Sequence, residues 1–117
     1  MWLMTKLGFF SAVEDRDDKG GVIVRARCEQ DIVNISYFLQ MKDAWWQDDY
    51  ADYAYRLRCS KAKWAGAVAR MADDIDYDNF KNSITDERHH RAYQRVWIDM
   101  LQIDDRVIDD TTWGDML

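Results

Sequence analysis

Proline is absent from the sequence, and cysteine and histidine each occur only twice. Without proline, nothing in the chain marks a rigid linker between two domains. Two cysteines, Cys28 and Cys59, are too few for a disulfide scaffold, so we predict a reduced pair in a cytoplasmic protein. The sequence also lacks a run of about 18 apolar residues, so we expect no membrane-spanning helix.

The length and composition indicate a folded globular protein. The 117 residues fit one domain, and 48% apolar with 32% charged residues is typical of a chain that can build a core. The net charge of −6 is uneven, because residues 99–117 carry six aspartates and one arginine. We therefore predict one α+β domain over residues 1–103 and an acidic tail over 104–117. Bulk attraction to nucleic acid or to anionic membranes is not expected.

Hydrophobic periodicity predicts both strands and helices. Residues 22–28 and 50–59 alternate between apolar and polar, and Trp2 to Val13 is extended, with Gly8 at a bulge or tight turn. Apolar residues recur every three or four positions in the helical segments. Helices are predicted over residues 29–42, from Ser60 as N-cap to about residue 75, over 76–82 as a short helix, and over 85–103. The order ββαβαα predicts a small, mainly antiparallel sheet of three to four strands, with helices on one face.

Several blocks of sequence occur together in a way that resembles a known family. They are W-L-M-T from Trp2 with G-F-F-S-A-V from Gly8, V-R-A-R from Val24, D-Y-A-Y-R from Asp52, and D-Y-D-N-F-K from Asp76. In combination they resemble a family of small proteins from bacteria and their phages that has no established activity. The resemblance covers residues 2 to about 102 and implies a fold-level grouping without catalytic residues.

Motifs for catalysis, metals and cofactors are incomplete. The aspartates at 74, 76 and 78 begin like a calcium loop, but Asn79 and Thr85 stand where such a loop needs glycine and glutamate. The adjacent His89 and His90 point in different directions on a helix and have no third ligand at suitable spacing. Ser60 begins an S-x-x-K pattern without its partner motifs and is better explained as a helix cap. We therefore predict no enzyme activity, no metal and no cofactor.

Four arginines share one parity of two predicted strands: Arg25, Arg27, Arg56 and Arg58. If the strands are neighbours, the four guanidinium groups lie on one face of the sheet. Such a face suits a small anionic ligand or single-stranded nucleic acid. The alternative, which we favour, is that aspartates such as Asp15, Asp17 and Asp52 pair with these arginines on a solvated surface.

Acidic and aromatic residues form the other candidate surface. The predicted partner-binding residues are Trp45, Trp46, Asp48, Asp49, Asp109, Asp110 and Trp113. Tryptophan is a frequent anchor of protein interfaces, and carboxylates steer a segment to a basic rim. The tail residues among them can equally fold back onto their own domain.

These observations predict a non-enzymatic protein-interaction module. One concrete form is an inhibitor from a phage or mobile element that binds a host macromolecule through acidic and aromatic surfaces. A protein partner is favoured over nucleic acid, and no membrane partner is expected. The alternative is a binder of anions or single-stranded nucleic acid on the arginines, and a metal-dependent enzyme ranks last. The partner and the oligomeric state are not fixed by the sequence.

Overall fold

The structure, a computed structural model, describes residues 1–106, which belong to two compact units. The first unit, Met1–Asp76, contains a five-stranded antiparallel sheet and two helices. The second begins at Tyr77 and contains a third helix with two short 3₁₀ helices. The predicted acidic tail lies outside the described residues from position 107 onward.

All strands of the sheet run antiparallel to their neighbours, in the order β1-β2-β3-β5-β4. The strands are β1 (Trp2–Thr5), β2 (Gly8–Glu14), β3 (Gly21–Ala26), β4 (Trp46–Gln47) and β5 (Tyr55–Ser60). The predicted α+β class and antiparallel sheet are confirmed. The sheet has five strands instead of three to four. A split of the first segment at Gly8 gives four, and the fifth is β4, which is too short to show a period.

The split between β1 and β2 depends on Gly8. Its φ of 146° is disfavoured for other residues, and a Cβ atom there would lie 2.3 Å from Cγ of Asp31. The Thr5 hydroxyl accepts the Leu7 and Gly8 N–H groups at 3.1 and 3.2 Å and so closes the turn. Asp31, which is buried, accepts the Phe9 N–H at 3.0 Å. Of the two predicted roles for Gly8, the tight turn is the observed one.

The core of the first unit lies between one face of the sheet and the helices α1 (Glu29–Phe38) and α2 (Lys61–Asp73). Val24 faces Leu57 across the β3–β5 pair, and both side chains are fully buried. Trp64 of α2 meets the ring of Phe10 edge-on, with 6.4 Å between ring centroids. The alternating residues of the strands therefore send one parity into the core, as their period predicts.

Helix α1 ends four residues earlier than the predicted boundary at residue 42. Gln40 has a positive φ of 58°, and the Met41 N–H bonds the Ser36 carbonyl at 2.8 Å. A left-handed residue after the helix, followed by an N–H that bonds a carbonyl five residues earlier, is a typical helix C-terminal cap. Helix α2 begins as predicted, because the Ser60 hydroxyl accepts the Lys63 N–H at 3.0 Å.

The second unit differs from its predicted boundaries. The helix predicted over residues 76–82 is a 3₁₀ helix at Lys81–Ser83, and the long helix is α3 (Glu87–Asp99), followed by a 3₁₀ helix at Met100–Ile103. Phe80 stacks on Tyr93, with 5.5 Å between centroids. The Lys81 ammonium lies 5.1 Å from the ring of Trp97 on α3.

Candidate partner-binding face

The four predicted arginines do come together on the sheet face opposite the core. Strands β3 and β5 are neighbours, and Arg25 lies directly across from Arg56. Arg58 lies across from Ile23, and Arg27 directly follows the end of β3. We call this side of the sheet the arginine face. It also carries the residues of β1 and β2 that share its parity, which are Trp2, Met4, Phe9, Ser11 and Val13.

Two of the four arginines form ion pairs with aspartate, as the favoured interpretation predicts. The Arg58 Nε lies 3.0 Å from a carboxylate oxygen of buried Asp15, and its Nη2 lies 3.3 Å from Asp17. Arg56 donates from Nε to the Tyr53 carbonyl, and its Nη2 lies 3.8 Å from Asp52. These guanidinium groups therefore hold the connection between β2 and β3 and the segment before β5.

The other two, Arg25 and Arg27, have no carboxylate partner among residues 1–106. Arg25 donates to the Ser11 hydroxyl at 2.6 Å, and Arg27 donates to the Asp52 carbonyl at 2.7 Å. Both guanidinium groups lie over the ring of Tyr53, at 4.7 and 4.1 Å from its centroid. Neutral acceptors and one aromatic ring thus fix their positions, and no carboxylate of the described residues neutralises their charge.

Tyr53 departs from its predicted orientation. Its alternation with Tyr55 and Leu57 predicts that its side chain faces the core. Strand β5 begins only at Tyr55, however, so the alternation of the strand does not fix the direction of the Tyr53 side chain. The Tyr53 ring is buried beneath Arg25 and Arg27 instead.

An aromatic row continues from Tyr53 towards the sheet edge. The ring of Phe9 lies 6.4 Å from Tyr53, and that of Trp2 lies 6.3 Å from Phe9 in an edge-to-face arrangement. Trp2, on the edge strand, is 72% exposed. Met4 and Val13 on the same face are exposed as well. No sequence motif marks these residues, although the parity of the strands could have joined them to the arginines.

Trp45 and Trp46 do not form one exposed surface, because Trp45 precedes β4 and packs on the core, whereas Trp46 lies in β4 on the arginine face. Trp45 is half-buried against the core and 6.0 Å from the ring of Tyr55. Trp46 lies in β4 across from Arg56, and the Arg58 guanidinium covers its ring at 5.1 Å. Both indoles therefore contribute contacts within the first unit.

The predicted acidic residues near β4 take part in its turn. Asp48 accepts the Tyr50 N–H at 3.0 Å, and Asp49 accepts the side-chain amide of Gln47 at 2.6 Å. The other predicted partner-binding residues, Asp109, Asp110 and Trp113, lie outside the described residues.

Helix α3 carries a second group of arginines on its exposed side. Arg88, Arg91 and Arg95 follow one another at helical spacing and line a shallow depression with Ala92. Arg91 is paired with Glu87 at 2.8 Å, one turn earlier on the helix. Such exposed pairs within a helix contribute little to its stability.

The pKa values of Cys59 and Asp86 are shifted, and each shift has a structural cause. Burial raises the pKa of the Cys59 thiol, although nearby Lys63 opposes the shift, whereas a nucleophilic thiol needs a lowered pKa. The Asp86 carboxylate caps α3, and its side-chain hydrogen bond with His89 holds its pKa below the usual range. Cys28 and Cys59 are not joined by a disulfide. Cys59 lies across from Val22 at the start of β3, whereas Cys28 follows the end of β3, so antiparallel pairing separates them.

Neither a family model, nor a curated protein, nor a solved structure matches the chain. The resemblance described above therefore stays a prediction. None of the helices in residues 1–106 has the length and apolar character required to cross a membrane.

Proposed function

We propose that the protein is a non-enzymatic binding module that captures a segment of a protein partner on the arginine face. The segment combines apolar side chains with at least one carboxylate. The observation that carries this proposal is the exposed Trp2 at the end of an aromatic row, beside two guanidinium groups without a carboxylate partner in residues 1–106.

Apolar contact supplies the first half of the proposed recognition. Trp2, Met4 and Val13 are exposed on the same face, although exposing a large apolar side chain to water costs free energy. Isolated apolar residues on a surface are common, but these three share one face of two neighbouring strands. Tryptophan is also enriched among residues that dominate binding energy.

Arg25 and Arg27 supply the second half. Their hydrogen bonds to Ser11 and Asp52 and their contacts with Tyr53 restrict both side chains before any partner arrives. Restricting a side chain in advance reduces the entropy lost on binding. A guanidinium group forms its strongest hydrogen bonds with carboxylate or phosphate, so an acidic side chain is the natural protein ligand.

Charge favours a protein partner over nucleic acid. The whole chain carries a net charge of −6, and Arg56 and Arg58 already face aspartates. Binding to nucleic acid gains most of its affinity from many phosphate contacts. Two arginines beside an apolar surface fit a mixed apolar and acidic peptide better.

Selection from a displayed library of random peptides tests the proposal. We expect the selected sequences to combine apolar residues with aspartate or glutamate. One selected peptide is then measured against Trp2→Ala and Arg27→Gln, and each substitution should weaken binding about tenfold or more. Tyr50→Ala and Arg95→Gln are matched controls, since Tyr50 is fully exposed in the turn before β5 and Arg95 lies on α3.

Three results would contradict this function. The selection could return no binders, or the selected peptides could lack acids, or Trp2→Ala and Arg27→Gln could leave binding unchanged. Tighter binding of a single-stranded oligonucleotide than of any peptide, lost in Arg27→Gln, would favour the alternative of a nucleic-acid binder. The narrower prediction of a phage or mobile-element inhibitor rests on the sequence alone and stays a prediction.

A further inference from the structure

Within residues 1–106, strand β1 forms one edge of the sheet, because β2 is the one strand that pairs with it there. Met1 and Ala12 exchange both of their backbone hydrogen bonds, each at 2.9 Å. In an antiparallel pair, residues that exchange bonds alternate with residues that do not. Leu3 and Thr5 therefore direct their backbone groups towards β2, whereas Trp2 and Met4 direct theirs away from it, to the outer edge.

The hydrogen bond of the Phe9 N–H supports this assignment of which backbone groups of β1 point outward. Phe9 lies across from Met4, so its N–H must also point away from the β1–β2 pair, to the opposite side. That N–H is the one that Asp31 accepts at 3.0 Å, beyond the end of β3. On the β3 side, the unpaired backbone group is thus covered by a side chain. For the outward N–H groups of Trp2 and Met4, the described residues show no acceptor.

We propose that the captured segment binds in an extended conformation and adds a sixth strand along β1, hydrogen-bonded to the backbone of Trp2 and Met4. This inference rests on the proposed function and specifies how the partner is held. The two outward residues offer two donors and two acceptors, and the added strand places every second side chain beside the exposed Trp2 and Met4. When a peptide binds at a sheet edge, backbone hydrogen bonds commonly supply affinity and side-chain contacts supply specificity.

The edge has few of the features that normally prevent strand addition. Edges are commonly protected by proline, lysine, a bulge or a very short strand. Residues 1–4 are Met-Trp-Leu-Met, the first charged side chain is Lys6, and the chain contains no proline. In the part of the chain that the structure describes, the four-residue length of β1 is what limits pairing, which matches the capture of a short segment and not the growth of a large sheet.

The added strand does not itself reach the guanidinium groups. It would lie three strand spacings, about 14 Å, from β3, which carries Arg25. The carboxylate of the partner therefore belongs to residues before or after its strand, where the segment crosses the aromatic row. Recognition has two separable parts: backbone pairing at β1 and a carboxylate on Arg25 and Arg27.

Met4→Pro tests the backbone part, because proline removes an outward N–H while the bonds between β1 and β2 do not use that group. Proline is tolerated on edge strands in this orientation. Met4→Ala is the matched control, since it loses the same side chain and keeps the N–H. With the display-selected peptide as probe, we expect Met4→Pro to bind about fivefold more weakly than Met4→Ala. Circular dichroism verifies that both variants fold.

Amide hydrogen exchange on the unmodified protein gives an independent measurement. In the free protein, the Leu3 and Thr5 amides should exchange more slowly than those of Trp2 and Met4. Adding the peptide should slow exchange at Trp2 and Met4. If the peptide binds and these two amides stay fast, strand addition is wrong and the proposed function stands.

The remaining outcomes are also decisive. If Met4→Pro binds like Met4→Ala, backbone pairing at this residue does not contribute and the inference fails. If the selection yields no peptide, the proposed function and the strand addition fail together. If the Trp2 and Met4 amides become protected as protein concentration rises without peptide, the edge pairs with a second copy of the chain, which overturns the inference.

Discussion

Trp64 combines the largest buried side chain of α2 with an indole N–H that has no acceptor in the described part of the chain. Trp64→Ala should cost about 3–5 kcal/mol, because it removes the ring that packs on Phe10. Trp64→Phe should cost much less, since phenylalanine keeps an aromatic ring and removes the unsatisfied donor. Urea unfolding measures both variants, and equal costs would show that the indole N–H does have a partner.

Gly8 tests the close approach between the β1–β2 turn and α1. Gly8→Ala should destabilise the protein by about 1–3 kcal/mol, because the new Cβ collides with buried Asp31 and the φ of 146° becomes strained. Gly66→Ala is the matched control. Gly66 lies inside α2 with open space at its Cβ position, so alanine there should stabilise by about 0.5–1 kcal/mol. If both changes have the same sign in thermal unfolding, the Gly8 argument is wrong.

The lowered pKa of the Asp86 carboxyl, at the start of α3, predicts that the stability of the fold depends on pH. The folded-state pKa of Asp86 is lowered first by the side-chain hydrogen bond with His89 and next by the His89 backbone N–H. A lowered carboxyl pKa stabilises the folded state above the unfolded pKa of about 4, and this stabilisation is lost as pH falls through the folded value. A carbon-13 NMR titration should give Asp86 a midpoint below the usual aspartate range. His89→Ala should raise that midpoint, and an unchanged value would refute the assignment.

At the level of elements, helix α2 depends on its N-terminal cap. The first turn of α2 contains no acidic residue, so the Ser60 hydroxyl on the Lys63 N–H is the main local support there. Ser60→Ala should cost about 1 kcal/mol, whereas Ser60→Asp keeps an acceptor and should cost little. Denaturant unfolding compares the two variants. A loss as large in Ser60→Asp as in Ser60→Ala would assign a different role to the hydroxyl.

Elements with a long, regular period were predictable from the sequence, and short or interrupted ones were not. Strands β3 and β5 alternate over six residues each, so the arginine parity of each strand followed from the sequence. That the two strands are neighbours was only a condition at that stage, and it is met in the structure. Strand β4 has two residues and exists only because it pairs with β5. Similarly, α1 ends where Gln40 adopts a left-handed conformation, which the residue type glutamine does not predict.

At the level of the whole molecule, every member of the sheet core belongs to residues 1–76. We therefore expect a fragment of residues 1–76 to fold without the remainder of the chain. A domain of this size buries a small core, so the fragment should unfold at a lower temperature than the full chain. A dispersed amide NMR spectrum and a cooperative thermal transition would confirm this expectation. A random-coil spectrum would show that residues 77–117 are needed for the sheet to form.

The sequence by itself determined the class of the fold, the parity of the strands and the cap of α2, because periodicity and capping act over a few neighbouring residues. It also gave Arg25 and Arg27 one parity in their strand and Arg56 and Arg58 one parity in theirs, whereas the pairing of β3 with β5 put all four on one side of the sheet. The tertiary structure alone decided which of them face a carboxylate, because Asp15 and Asp52 reach Arg58 and Arg56 through loops of no regular period. It likewise joined Trp2 and Phe9 to Tyr53, since contacts between different strands depend on register and not on local sequence.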